Sequence, residues 1–210
     1  MTRAKVCGLT READVRAAVD AGADALGFIV DVPVDTPREI SREQARSLIA
    51  DVPPFVSTVA VTMPDAPEAA LAVARETGAD AIQLHTLPPA DCAALRDAFA
   101  GPVIRAVDHE EAESFADAVD AVLVDSVDEA GAGGTGETHD WDRTRELVDR
   151  LSVPVVLAGG LTPENVTAAV ETVDPYAVDV ASGVERTGGE KDHDAVRAFV
   201  RAATHPEVVV

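Results

Sequence analysis

The feature that most restricts this chain is a corner that recurs along it. Gly22-Ala23-Asp24-Ala25-Leu26 and Gly78-Ala79-Asp80-Ala81-Ile82 each turn a helix into a strand, and Asp120-Ala121-Val122-Leu123 opens a further strand in the same way. A glycine that stops a helix and leads directly into a short apolar run is the junction of an α/β unit. Its return at intervals points to repeated βα architecture.

Periodicity fills in the units between these corners. Apolar spacing of the helical kind falls at 11–21, 42–50, 65–77, 90–99, 110–116, 141–151, 164–172 and 193–203. Ser41 is placed to cap the second of these helices, and Pro53-Pro54 must break it. Short buried strands read at 24–30, 55–61, 80–84, 103–107, 120–125, 154–158 and 177–180, after a first one that ends at Cys7.

Eight strands alternating with eight amphipathic helices imply a parallel sheet, closed into a (β/α)8 barrel of the TIM type. An open doubly wound sheet is the alternative. It would carry a Gly-rich turn after strand one, and Cys7-Gly8-Leu9-Thr10 is not such a turn. At 210 residues with 47% hydrophobic content and no low-complexity linker, 1–210 reads as one α/β domain with one full core.

The formal net charge of −21 repels nucleic acid and anionic membranes, so neither is an expected partner. The acids are spread through every expected helix rather than gathered in a tail, which fits adaptation of the whole surface to a salt-rich cytoplasm. Arginine carries nearly all the positive charge, Lys5 and Lys191 being the only lysines among 17 basic residues. With two cysteines, no leader-like stretch and no membrane-length apolar run, the expectation is a soluble cytoplasmic protein with reduced thiols. No cysteine–histidine spacing suits a metal.

In a barrel of this kind the chemistry belongs to the carboxyl ends of the strands and the loops after them. The residues that fall there are Cys7, the Pro37-Arg38 loop, Gln83 and His85, Asp125, Gly133 to Gly136, Gly159-Gly160 and Ser182-Gly183. Bare backbone N–H groups hold phosphate well, and glycine pairs after strands seven and eight match the usual barrel phosphate site. Either pair alone reads equally well as an ordinary turn.

Arg38 suits a two-pronged contact with a substrate carboxylate or, equally, an ion pair with one of the many acids. Asp125 ends an apolar strand, where a low-dielectric setting favours the protonated form and a general acid, although capping is a common use of such an aspartate. Cys7 is either a small buried hydrophobe or a thiol on the face where such folds do chemistry, its ionisation assisted by Lys5 or by the turn at Gly8. Gln83 and His85 face one side of strand four, and His85 stays outside the catalytic set.

Taken together, Lys5-Val6-Cys7-Gly8-Leu9-Thr10, Gln83-Leu84-His85, Gly133-Gly134-Thr135-Gly136 with Asp140-Trp141, Gly159-Gly160-Leu161-Thr162-Pro163-Glu164-Asn165-Val166 and Asp179-Val180-Ala181-Ser182-Gly183-Val184-Glu185 resemble phosphoribosylanthranilate isomerase over nearly the whole chain. The pattern departs at Thr86, where a glycine usually follows the histidine, and at His139, where an aromatic usually precedes Asp-Trp.

The resemblance implies a cofactor-free and metal-free Amadori rearrangement in tryptophan biosynthesis, acting on a small phosphorylated substrate, by a monomer or homodimer. It implies Cys7 as general base, Asp125 as general acid and Arg38 as the holder of the anthranilate carboxylate. Phosphate contacts fall on Gly159, Gly160, Ala181, Ser182 and Gly183, with Asp179 near the sugar. The bottom-up alternatives are another sugar-phosphate isomerase or epimerase on the same barrel, and a phosphate-ligand sensor without turnover.

Overall fold

The computed structural model describes residues 1–125 and 141–204, and among them β-strands and helices alternate from end to end. The strands are β1 (Arg3–Val6), β2 (Ala25–Ile29), β3 (Ser57–Thr62), β4 (Ala81–Leu84), β5 (Val103–Val107), β6 (Ala121–Asp125), β7 (Val155–Ala158) and β8 (Ala177–Val180). The helices are α1 (Glu12–Asp20), α2 (Arg42–Ala50), α3 (Pro67–Thr77), α4 (Pro89–Ala98), α5 (Ala112–Phe115), α6 (Trp141–Arg150), α7 (Val166–Val173) and α8 (His193–Thr204). The strands pair in parallel in chain order, and β8 returns to β1 with Lys5 opposite Asp179, so the sheet closes as a barrel.

The repeated corner has a physical reason. Each aspartate just before an even strand turns its carboxylate back onto the odd strand before it: Asp24 accepts from the N–H of Ala4 at 2.9 Å, Asp80 from Thr58 at 2.8 Å and Asp120 from Val103 at 2.8 Å. Three backbone donors at the amino-terminal rim of the barrel are thereby satisfied, as buried N–H groups must be. Gly22 and Gly78 take φ of 85° and 76° and end α1 and α3. The Ser41 hydroxyl caps α2 by accepting from Gln44 N–H at 3.1 Å.

Branched and aromatic side chains fill the space between barrel and helices, including Leu26, Phe28, Val178 and Phe199 on one side and Ile82, Leu84, Val122 and Leu147 on the other. The bore holds smaller residues, Ala106, Leu123, Val156 and Ala158 in one group and Cys7, Val59, Val61 and Ala81 in the next. Packing of this kind makes the barrel a core and leaves its two mouths as the places for ligands.

Three features differ from the reading of the sequence. The expected strand at 55–61 starts two residues later, because Phe55 is fully exposed in a left-handed conformation with φ 74°, outside the sheet. The helix expected at 110–116 is reduced to the single turn of α5. After β8 comes an unexpected 3₁₀ turn, Ser182–Val184, and then a small antiparallel hairpin of β9 (Glu185–Thr187) and β10 (Glu190–Lys191). Its residues are charged, glycine or threonine, so no apolar period announces it.

Candidate active site

The carboxyl-terminal mouth gathers most of the residues singled out above. Arg38, Asp125, Asp179, the Gly159-Gly160 pair and the Ala181-Ser182-Gly183 segment line one cavity of about 260 Å³. Cys7 is not part of that lining. It is 5% exposed and lies in the adjoining apolar cluster, packed with Ala181, which does line the cavity. The Gly133 to Gly136 loop, His139 and Asp140 lie outside the described residues.

Two turns explain how the chain delivers these groups. Gly8, with φ 70°, bends the backbone sharply after Cys7, and a Cβ there would stand 2.8 Å from Arg38 Cδ, so the arginine stem crosses the bare glycine. Gly183 allows the closest approach in the site: a Cβ on it would fall 1.9 Å from the Leu161 carbonyl oxygen. Only glycine lets the segment after β8 lie against the loop after β7. That loop is fixed by Asn165, whose Nδ2 donates to Gly160 O at 2.9 Å while its Oδ1 accepts from Thr162 N–H at 2.8 Å. Sequence reasoning noticed Asn165 only as part of a motif.

The electrostatics separate the two candidate proton-transfer groups. Burial first, and then the neighbouring Asp179 carboxylate, push the Asp125 carboxyl up to about 6 against the pull of Lys5. This is the upward shift expected for a carboxyl at an apolar strand end. The Cys7 thiol also moves up, because burial outweighs the attraction of Lys5. Lys5 does favour the thiolate, as expected, but its pull is smaller than the effect of burial. The Lys5 ammonium donates to Asp179 Oδ1 at 2.9 Å, and the two are almost fully buried, so its charge is largely answered there.

His85 stays out of the acid–base set, as read from the sequence. Gln83 Nε2 and His85 Nε2 are 3.0 Å apart, which confirms that the two side chains share a side. Although the His85 side chain is exposed at the mouth, the protein crowded around its ring and then the Lys5 and Arg105 charges lower the imidazole to about 4, leaving it neutral near pH 7. Gln83 is 2% exposed, and its Oε1 has no hydrogen-bond partner among the described residues.

Arg38 is already engaged. Its Nε and Nη2 donate to Glu185 Oε1 and Oε2 at 2.8 and 2.7 Å. Lys191, with a fully buried side chain, donates its Nζ to Glu185 Oε1 and to Ala181 O, both at 2.9 Å. Burial pushes the Glu185 carboxyl up, but Arg38 and Lys191 more than offset this and hold it below its ordinary range. Neither Glu185 nor Lys191 was a candidate from the sequence. The available signal was compositional, since the only two lysines of an arginine-rich chain, Lys5 and Lys191, are both buried in ion pairs at this mouth.

Among the described residues no group of three or more histidine, cysteine, aspartate or glutamate side chains is arranged to hold a metal, and no helix is long and apolar enough to cross a membrane. What the mouth offers is one raised carboxyl, one buried thiol, one arginine with part of its donor set still open, and two glycine loops side by side. That set suits acid–base chemistry on a phosphorylated ligand with a second anionic group.

Residues 4–202 match the family model described as N-(5'phosphoribosyl)anthranilate (PRA) isomerase. The chain is 59% identical to the N-(5'-phosphoribosyl)anthranilate isomerase of Haloferax volcanii, across 97% of this chain and 93% of that one. It is 60% identical to that of Halobacterium salinarum, across 97% and 96%. Among solved structures, phosphoribosyl anthranilate isomerase from Thermotoga maritima superposes with a TM-score of 0.86 at 39% identity, covering 97% of this chain and 98% of that one. An isomerase in complex with reduced 1-(o-carboxyphenylamino)-1-deoxyribulose 5-phosphate superposes with a TM-score of 0.82 at 37% identity, covering 97% and 98%. The chain belongs to the N-(5'-phosphoribosyl)anthranilate isomerase family.

Proposed function

We propose that this barrel converts N-(5'-phosphoribosyl)anthranilate to 1-(2-carboxyphenylamino)-1-deoxyribulose 5-phosphate, with Asp125 as general acid and Cys7 as general base, in a salt-rich cytoplasm. The observation that carries the assignment is the placement of Asp125, held near 6, in the same cavity as Arg38 and both glycine loops, with Cys7 in the apolar cluster against which Ala181 packs.

The substrate phosphate accepts from the backbone N–H groups of Gly159, Gly160, Ala181, Ser182 and Gly183, and the anthranilate carboxylate meets Arg38. Asp125 gives its proton to the furanose ring oxygen. The C1'–O bond breaks, leaving a hydroxyl and an iminium between C1' and the anthranilate nitrogen. The Cys7 thiolate then takes the proton from C2', and the freed electron pair forms the C1'=C2' bond and neutralises the nitrogen. Loss of the C2' hydroxyl proton and gain of one at C1' complete the ketone. Oxidation at C2' is matched by reduction at C1', so atoms and electrons balance within the substrate. Asp179, paired with Lys5 beside Asp125, contributes by holding the Asp125 proton and by facing the sugar.

The test is turnover of freshly made phosphoribosylanthranilate in molar potassium chloride, followed by loss of substrate fluorescence. Cys7→Ser keeps the shape and supplies a far poorer base, so the turnover number should fall about a hundredfold or more with KM changed much less. Absence of turnover by the wild-type chain defeats the isomerase reading, and near-normal turnover by folded Cys7→Ser defeats the role of the thiol.

A further inference from the structure

Arg38 can offer a ligand only what Glu185 leaves. A guanidinium has a side-on edge, Nε with one Nη, and an end-on edge formed by its two Nη groups. Here the side-on edge is taken by both oxygens of Glu185. Among the described residues Nη1 donates to no acceptor, and the arginine side chain keeps 25% exposure on the cavity. What remains toward the cavity is therefore the end-on edge.

Glu185 is in turn fixed from behind. Lys191 joins its Oε1 to Ala181 O, the carbonyl that opens the glycine segment after β8, and the Lys191 backbone N–H donates to the fully buried Asp14 at 3.3 Å. The hairpin that carries Glu185 and Lys191 lies against the Arg38 loop, since a Cβ on Gly188 would stand 2.7 Å from Pro37 Cγ and one on Gly189 2.4 Å from Pro37 O. Two cations share one carboxylate, so the trio keeps one unit of positive charge, in a chain whose net charge is −21.

We propose that Glu185 is a positioning residue for the arginine subsite: it consumes the side-on edge of Arg38 and aims the end-on edge at the substrate carboxylate, while Lys191 ties that aim to the phosphate-binding segment through Ala181. The distance between the two anion sites is then set by one ion-paired frame, and the ligand class it selects is a phosphate monoester bearing a carboxylate at a fixed separation. This rests on the isomerase reading.

The two possible roles of Glu185 predict opposite signs. A carboxylate that acts only through charge repels a substrate anion, and Glu185→Gln would then tighten binding. A carboxylate that aims Arg38 gives the reverse: KM for phosphoribosylanthranilate should rise about tenfold, with kcat within about threefold. On an Arg38→Ala background the same change should alter KM by less than about twofold, because Glu185 has nothing left to aim. Inhibition by inorganic phosphate should stay within about twofold in the variants that keep Lys191, which are the ones in which it is read. If Glu185→Gln fails to fold because Lys191 is left buried and unpaired, the double variant Glu185→Gln/Lys191→Met removes both charges and carries the same cycle.

Binding of reduced 1-(o-carboxyphenylamino)-1-deoxyribulose 5-phosphate, measured by calorimetry, reads the same Kd change without turnover. Failure of the catalytic reading is thereby distinguishable from failure of this one. An unchanged or lowered KM, an equal loss on the Arg38→Ala background, or a parallel loss of inorganic phosphate inhibition overturns the proposal.

Discussion

Asp125→Asn should inactivate the protein and stabilise it. Asparagine keeps the size of the side chain while removing both the proton to be donated and the charge that the site resists. The Asp125 carboxyl rises from 3.8 to about 6 on folding, and at about 1.36 kcal/mol per pH unit the ionised group costs the folded state about 3 kcal/mol above pH 7. Between those two values the folded chain binds the proton more tightly than the unfolded chain does. Wild-type stability therefore falls as pH rises through the window from about 4 to about 6, and it stays lower above that. The variant carries no such group and should not show the fall.

The quantity to measure is the stability of Asp125→Asn minus that of wild type, from urea unfolding in molar potassium chloride at pH 4.5 and 7.5. About 1 kcal/mol of the cost is already present at pH 4.5 and about 3 kcal/mol at pH 7.5, so the advantage of the variant should grow by about 2 kcal/mol. Comparing the two chains at each pH cancels the titration of the other 37 acids of the 38 in the sequence. The turnover number should drop at least about a hundredfold in the same variant. A difference that does not change with pH, or a variant less stable at pH 7.5, refutes the claim that burial and Asp179 hold a strained carboxyl here.

Two further outcomes follow from the same groups and from the surface. The productive form needs the Cys7 thiolate and the protonated Asp125 together. With the carboxyl at about 6 and the thiol above its ordinary 9.0, at most about one free molecule in a thousand holds that combination. That fraction climbs tenfold per pH unit up to about 6 and is flat beyond it until the thiol titrates, so kcat/KM should rise to about pH 6 and then level; a decline beginning at pH 6 overturns the assignment. The charge of −21 should make Tm rise as potassium chloride is added, because the screening length shortens from about 30 Å at 0.01 M to about 3 Å at 1 M; a flat response removes the case for salt adaptation.

The barrel was legible because its information is local. Gly22 and Gly78 stop helices just before apolar runs, and Asp24, Asp80 and Asp120 repeat the same hydrogen bond in successive pairs of strands. The glycine pairs were legible for a similar reason, since Gly183 sits where any side chain would strike the Leu161 carbonyl. What stayed hidden is long-range pairing. Arg38 and Glu185 are 147 positions apart, Lys5 and Asp179 are 174 apart, and no periodicity relates either pair.

The site's charge logic is therefore tertiary, and it inverts a simple sequence argument. A lysine two residues before Cys7 reads as a device for making a thiolate, but Asp179 on the neighbouring strand takes that ammonium and burial of the thiol prevails. An arginine in a loop reads as a free fork, but Glu185 takes its side-on edge. Lysine is the rarer cation of this chain, and both copies are spent on buried carboxylates next to the cavity. Arginine dominates the exposed ion pairs, where a planar, weakly hydrated cation can answer an acidic surface. An ammonium is compact and donates in three directions, which is what Lys191 uses to join a carboxylate and a carbonyl in a space with no solvent. Replacing either lysine by arginine would force a larger, flat group into that space, so the retention of lysine at these two positions follows from packing as well as from charge.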